Sequence, residues 1–174
     1  MQRNPTMFLV GDAGPSLFGL TTAERLRRQF ARQGVAVCLN VDAAANHDGP
    51  VIMARADAVL DQPLIAVLAE TPKLLLMGEG PSNTVPLAAN VRGRDVIAAA
   101  ALLSGAKPEA AGLALDARTP GELGLKFWKA LRKRETPYAF ATSPANAAAV
   151  EWRMFMGTYK GATDIVTKHL WPVP

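Results

Sequence analysis

The chain is predicted to fold as an α/β domain, with a mostly parallel sheet covered by helices on both faces. Three observations predict it. Short apolar runs alternate with helical patterns through about residue 134, and strands joined by helical crossovers run parallel. The first apolar run ends in a Gly/Pro-rich loop that leads into a helix, the usual strand–turn–helix opening of such folds. Finally, 174 residues at 49% hydrophobic and 20% charged supply a real core for about one domain.

The elements follow in order. Thr6–Val10 (TMFLV) reads as a buried strand that ends at the loop Gly11-Asp12-Ala13-Gly14-Pro15. Thr21 or Thr22 offers an N-cap for TTAERLRRQFARQG, a helix that Gly34 stops with basic residues in its later turns. Val35–Leu39 and Val51–Ala54 are the next strands. Asp61-Gln62-Pro63 opens a helix through about Glu70, with Asp61 as its N-cap, and Lys73–Met77 (KLLLM) is a fourth strand. Gly112–Asp116 (GLALD) reads as a later strand that Asp116 ends. It feeds Thr119-Pro120-Gly121-Glu122, a capping box with proline at the first helical position, and a helix through about Arg134. Ser143-Pro144 begins a long helical pattern through Leu170, with Trp152, Phe155, Tyr159, Ala162, Val166 and Leu170 at helical spacing. The division expected is a main domain over 1–141 and a C-terminal helical segment over 142–174.

Composition excludes several classes. One cysteine, Cys38, cannot make an intramolecular disulfide or a cysteine-rich zinc site, and inside a strand it reads as a small buried residue. No apolar run approaches the roughly 18–20 residues of a spanning helix, and MQRNPTMFLVGD lacks a secretory apolar region. A soluble, cytoplasmic domain is expected. The net charge of +4 divides unevenly: residues 1–125 sum to −1 and residues 126–174 to +5. Eight of the eleven aromatics lie in that last segment, which points to an anionic surface near that end alone. Nucleic acid is not expected as a partner, because the basic excess is small and no aromatic recognition motif accompanies it.

In an open parallel sheet, ligands bind outside the carboxyl ends of the strands. That rule selects the loop Gly11–Gly14 after the first strand, where backbone N–H groups can cradle phosphate, although the loop is neither a P-loop nor GxGxxG. It also selects Asp57 in MARADAVLD and Asp116 in LALDARTPGEL. Neither has a local capping duty, and two carboxylates at neighbouring strand ends can hold one Mg²⁺. Protein-based nucleophilic catalysis has little support, since neither His47 nor His169 stands in a catalytic motif.

Three landmarks, FLVGDAG, MARADAVLD and LALDARTPGEL, make residues 6–134 resemble the nucleotidyltransferase superfamily of the MobA-like and sugar-1-phosphate type. The third looks like that family's D-x-x-T-P-x-x-L. The C-terminal stretch, above all KGATDIVTKHLWP (Lys160–Pro172), is similar to the linker before the membrane domain of fused CDP-alcohol phosphatidyltransferases, such as those carrying an inositol-1-phosphate cytidylyltransferase. The membrane domain's own DGxxAR signature is absent from this sequence.

The resemblance implies a three-layer, Rossmann-like nucleotidyltransferase fold followed by a C-terminal amphipathic helix. It implies transfer of CMP from CTP to a small phosphorylated alcohol, with Asp57 and Asp116 as catalytic metal carboxylates for Mg²⁺. Gly11, Asp12, Ala13, Gly14 and Arg25 would contact the nucleotide. The product would pass to a membrane CDP-alcohol phosphatidyltransferase, and Lys160–Trp171 would meet an anionic membrane surface at the inner face. The sequence departs from the family in one respect: active members carry basic residues in the first loop, whereas this chain has Asp12 there and no cation before Arg25. Arg25, Arg28 and Lys73 are the candidate replacements. The departure admits an alternative, a catalytically degenerate module that docks on or regulates the membrane enzyme.

Overall fold

The computed structural model describes residues 4–106, 112–125 and 136–157. Its centre is a curled, mixed sheet. Strand β1 (Thr6–Val10) lies between β4 (Ala36–Val37) and β5 (Pro50–Arg55), parallel to both. β8 (Thr84–Arg92) then runs antiparallel between β5 and β7 (Leu74–Glu79). β10 (Ala139–Ala141) joins the end of β7 in parallel and carries β6 (Ala58–Leu60) antiparallel at the far edge. β9 (Asp116–Arg118) pairs with the start of β7. β2 (Ser16–Leu17) and β3 (Leu20–Thr21) form a separate hairpin.

Helices cover both faces, and strand alternation assigns the side chains. Ile52 and Ala54 of β5 face α1 (Thr22–Arg32) and α3 (Gln62–Glu70), in a core with Leu26, Phe30, Leu64, Ile65 and Leu68. Val51 and Met53 face the other way, toward α2 (Val41–Ala45) and α4 (Val96–Leu103), where Ala44, Val96, Ala99, Leu102 and Leu103 are buried. α1 buries Thr22, Leu26 and Phe30, one residue per turn, and Thr21 caps it by accepting the Glu24 N–H. Asp61 caps α3 as expected, accepting the Gln62 N–H at 2.9 Å.

The sheet needs one qualification and three expectations need correction. The sheet is mostly parallel, with six of its eight strands running one way, but it is also mixed, because β8, its longest strand, enters antiparallel at the centre and β6 runs antiparallel at the edge. Pro86 sits inside β8, where a proline ordinarily argues against a strand. A register shift between Leu76 and Met77 of β7 falls opposite that point, and β5 pairs with β8 only from Ala88 onward.

The run GLALD is not the expected strand. Gly112–Leu115 is outside the ladder, with Leu113 and Leu115 packed on the α2/α4 side, and Asp116 opens β9 instead of ending it. After Thr119 the capping bonds do form: Glu122 accepts from the Thr119 N–H and hydroxyl at 2.7 and 2.8 Å, which hold its carboxyl below the usual range. Residues 120–124 nevertheless make turns, ending at Gly124 with φ 67°, and the rest of that expected helix lies outside the described residues.

The C-terminal helix α5 is Ala147–Met156 and starts later than Ser143. Asn146 ties the entry into a turn, accepting the Ser143 N–H at 2.7 Å and donating to the Ala141 carbonyl at 2.9 Å. Val150 and Met154 of α5 pack with Leu17 and Val59, so this part of the C-terminal segment belongs to the domain core. Residues 158–170 of the expected helix are outside the described residues. Among the described residues no helix is long and apolar enough to cross a membrane.

Candidate functional site

The loop after β1 and the residue after β5 meet at the carboxyl ends of these two strands. The register pairs Val10 with Arg55, so Gly11 and Ala56 leave the sheet side by side, and Ala56 donates its N–H to the Val10 carbonyl at 2.9 Å. Gly11 makes its bend at φ 78°, a left-handed conformation suited to glycine. Asp12 and Ala13 are exposed. Gly14 returns to the protein: its N–H donates to Thr22 Oγ at 2.9 Å, and Thr22 Oγ donates to the Ala56 carbonyl at 2.6 Å. A Cβ on Gly14 would collide with Thr142 Oγ and lie 3.2 Å from the Asp57 Cβ. Thr142 in turn donates its N–H and its hydroxyl to the Asp57 carbonyl, at 3.0 and 2.6 Å.

Gly11, Asp12, Ala13, Gly14 and Asp57 are therefore brought to one end of the sheet. The Gly14 N–H, however, is committed to Thr22, so it is not among the groups the loop can offer an anion.

The Asp57 carboxylate is also committed. Arg55 closes on it with both arms, Nε to Oδ1 at 2.9 Å and Nη2 to Oδ2 at 2.6 Å, with both side chains about three-quarters buried. That carboxylate raises the Arg55 pKa further. Arg55, Thr22 and Thr142 are site residues that the sequence reading missed. For Arg55 a signal existed: it stands two positions before Asp57 at a strand end.

Asp116 is elsewhere. It opens β9 opposite Leu74, the first residue of β7, whose neighbour Leu75 lies across β8 from Met53. The level of Asp116 is thus about 10 Å back along the strand direction from the end of β5, and β9 is three ladder steps from β5. Asp116 is exposed and pairs with Arg118 at 2.9 Å. The reason is the misassigned strand: with Asp116 opening β9, it stands at the amino end of the parallel strands, while Asp57 stands at the carboxyl end.

The residues therefore do not fit a Mg²⁺ held jointly by Asp57 and Asp116. Among the described residues no group of three or more metal-ligating side chains occurs.

The candidate cations have other partners or places. Arg25 donates from Nη2 to the Leu17 carbonyl at 2.8 Å, in the β2–β3 hairpin, while its buried Nε finds no partner. Arg28 pairs with Glu24 at 2.8 Å. Lys73 precedes β7 at the amino end, far from the loop. The cation nearest the glycine loop in the sheet is thus Arg55. Lys160 and Trp171, expected to meet a membrane, lie outside the described residues.

No model of a known protein family matches this chain, and no curated protein matches it by sequence.

Proposed function

We propose that this domain is a nucleotidyltransferase-fold module that works beside a membrane CDP-alcohol phosphatidyltransferase without itself catalysing cytidylyl transfer. One observation carries the reading: Arg55 occupies both oxygens of the Asp57 carboxylate, while Asp116 stands at the other end of the sheet. A transferase of this kind must neutralise a triphosphate and align two phosphoryl groups. Here the first loop carries Asp12 rather than a cation, and the one central aspartate is already neutralised. The module would sit at the cytoplasmic face of the membrane, with Lys160–Trp171 against anionic lipid.

Thermal unfolding with CTP, UTP, ATP and GTP, each with and without Mg²⁺, tests the reading. A ligand that binds only the folded state must raise the midpoint. No shift is expected for any of the four at millimolar levels. A rise specific to CTP and Mg²⁺, abolished by Asp57→Asn, would overturn it. Co-sedimentation with vesicles tests the membrane half, and equal binding to neutral and anionic vesicles would count against it.

A second reading is an active CTP-dependent cytidylyltransferase, favoured by the contact of Gly14 with the Asp57 and Thr142 side chains at the same end as the loop. An oxygen of a small polyol phosphate would attack the α-phosphorus of CTP, and the bond to the departing pyrophosphate would break. Arg55 would be the side chain placed to take up negative charge. Pyrophosphate release from CTP and a polyol phosphate, lost in Arg55→Ala, would select this reading over the first.

A further inference from the structure

A cavity of about 840 Å³ opens at the opposite end of the sheet, between the 47–50 loop, the junction at 72–73, the end of β8 and the segment 112–115. Small-molecule sites have volumes of roughly 300–1,000 Å³. Its lining divides by chemistry. Val91, Leu113 and Leu115 provide apolar surface, and Lys73 and Arg92 provide positive charge. Arg94 lines it too but lies 3.7 Å from Asp95. Asp48 and Asp95 also stand in the lining, and neither carboxylate is free of partners. Neither Lys73 nor Arg92 is paired with a carboxylate among the described residues.

Two features hold this end rigidly. Lys73 has φ 61°, a left-handed conformation that costs a non-glycine residue about 1–2 kcal/mol. It is locked there because its N–H donates to the Asn90 carbonyl at 3.0 Å and its own carbonyl accepts the Asp116 N–H at 2.8 Å. A glycine would meet the backbone demand without strain, yet a residue with a long cationic side chain lines the cavity there. On the facing wall, a Cβ on Gly93 would lie 2.6 Å from the His47 carbonyl oxygen, so the 45–47 turn is seated directly on the backbone that follows β8.

We infer that this cavity binds an organic phosphate. The phosphate is held between Lys73 and Arg92, whose two charges, without a carboxylate partner among the described residues, suit a dianion, and an apolar or ring portion covers Val91, Leu113 and Leu115. The site shares no residue with the Gly11–Gly14 and Asp57 region, so it stands whether or not that region binds nucleotide.

The test is an amide NMR titration of the full chain with phenyl phosphate, which carries both a dianion and a ring, and in parallel with inorganic phosphate. Phenyl phosphate is expected to give saturable shifts in residues 47–50, 72–74, 90–95 and 112–115, and to bind more tightly than inorganic phosphate. Lys73→Gly removes the ammonium while relieving the backbone, and Arg92→Ala removes an exposed side chain, so both variants keep the fold. Each is expected to weaken phenyl phosphate about tenfold. Shifts confined to the Gly11–Gly14 loop, an absence of saturation, or affinities unchanged in both variants would overturn the site. Equal affinity for phenyl and inorganic phosphate would overturn the organic part of the assignment.

Discussion

Arg55 and Asp57, two positions apart at the end of β5, form a two-armed ion pair at 2.9 and 2.6 Å. It neutralises the carboxylate that the fold brings beside the glycine loop. The pair is mostly buried, so removing one partner strands the other. Arg55→Ala is expected to lower stability by about 1–3 kcal/mol, measured by urea unfolding. The double variant Arg55→Ala/Asp57→Ala should lose less than the two single losses combined. Strictly additive losses would show that the pair is not coupled.

Gly14 is expected to tolerate no side chain. Its Cβ would enter the space of Thr142 Oγ, with Thr22 Oγ at 3.1 Å, and both hydroxyls hold backbone carbonyls next to Asp57. Gly14→Ala should therefore destabilise by about 1–3 kcal/mol. At Gly11 nothing lies within 4 Å, so Gly11→Ala meets only the cost of φ 78°, about 1–2 kcal/mol. Denaturant midpoints of the two variants distinguish these causes when each is combined with Thr142→Ala. The cavity left by Thr142 should relieve Gly14→Ala and leave Gly11→Ala unchanged.

Asp116 is expected to be dispensable. It is exposed and its carboxylate pairs with Arg118, an exposed pair of small worth. Asp116→Asn should change stability by no more than about 0.5 kcal/mol and leave any nucleotide-induced thermal shift intact. Loss of such a shift in this variant would return Asp116 to the carboxyl-end site.

Tyr138 gives a pH signature. Burial pushes its hydroxyl up to about 12, with the Asp61 charge adding to the rise and Arg25 and Arg153 opposing it. The folded value exceeds the ordinary one near 10, so the unfolded chain loses its proton first as pH rises. The contribution is whole below about pH 10 and is lost toward pH 12, amounting to about 2–3 kcal/mol. Alkaline unfolding of the wild type should show this slope between pH 10 and 12, and Tyr138→Phe should flatten it.

The sequence by itself determined the elements whose signals are local. Thr6–Val10 is a strand as its apolar run requires, and α1 and α3 begin where Thr21 and Asp61 cap them, because a cap and a helical stripe act within a few residues. It also determined that Gly11–Gly14 and Asp57 follow strands whose carboxyl ends can meet. Tertiary structure decided the rest. β8 carries Pro86 and a weak apolar pattern, and only pairing with β5 and β7 makes it the central strand. The direction of β8, the place of β9 and the contact of Thr142 with Asp57 are ladder and packing relations across tens of residues. Those relations left Asp116 at the amino end and set the local Arg55–Asp57 pair beside the glycine loop. A carboxylate's chemistry depends on which end of a sheet it occupies, and that is not encoded in the residues on either side of it, even where its cation stands two positions away.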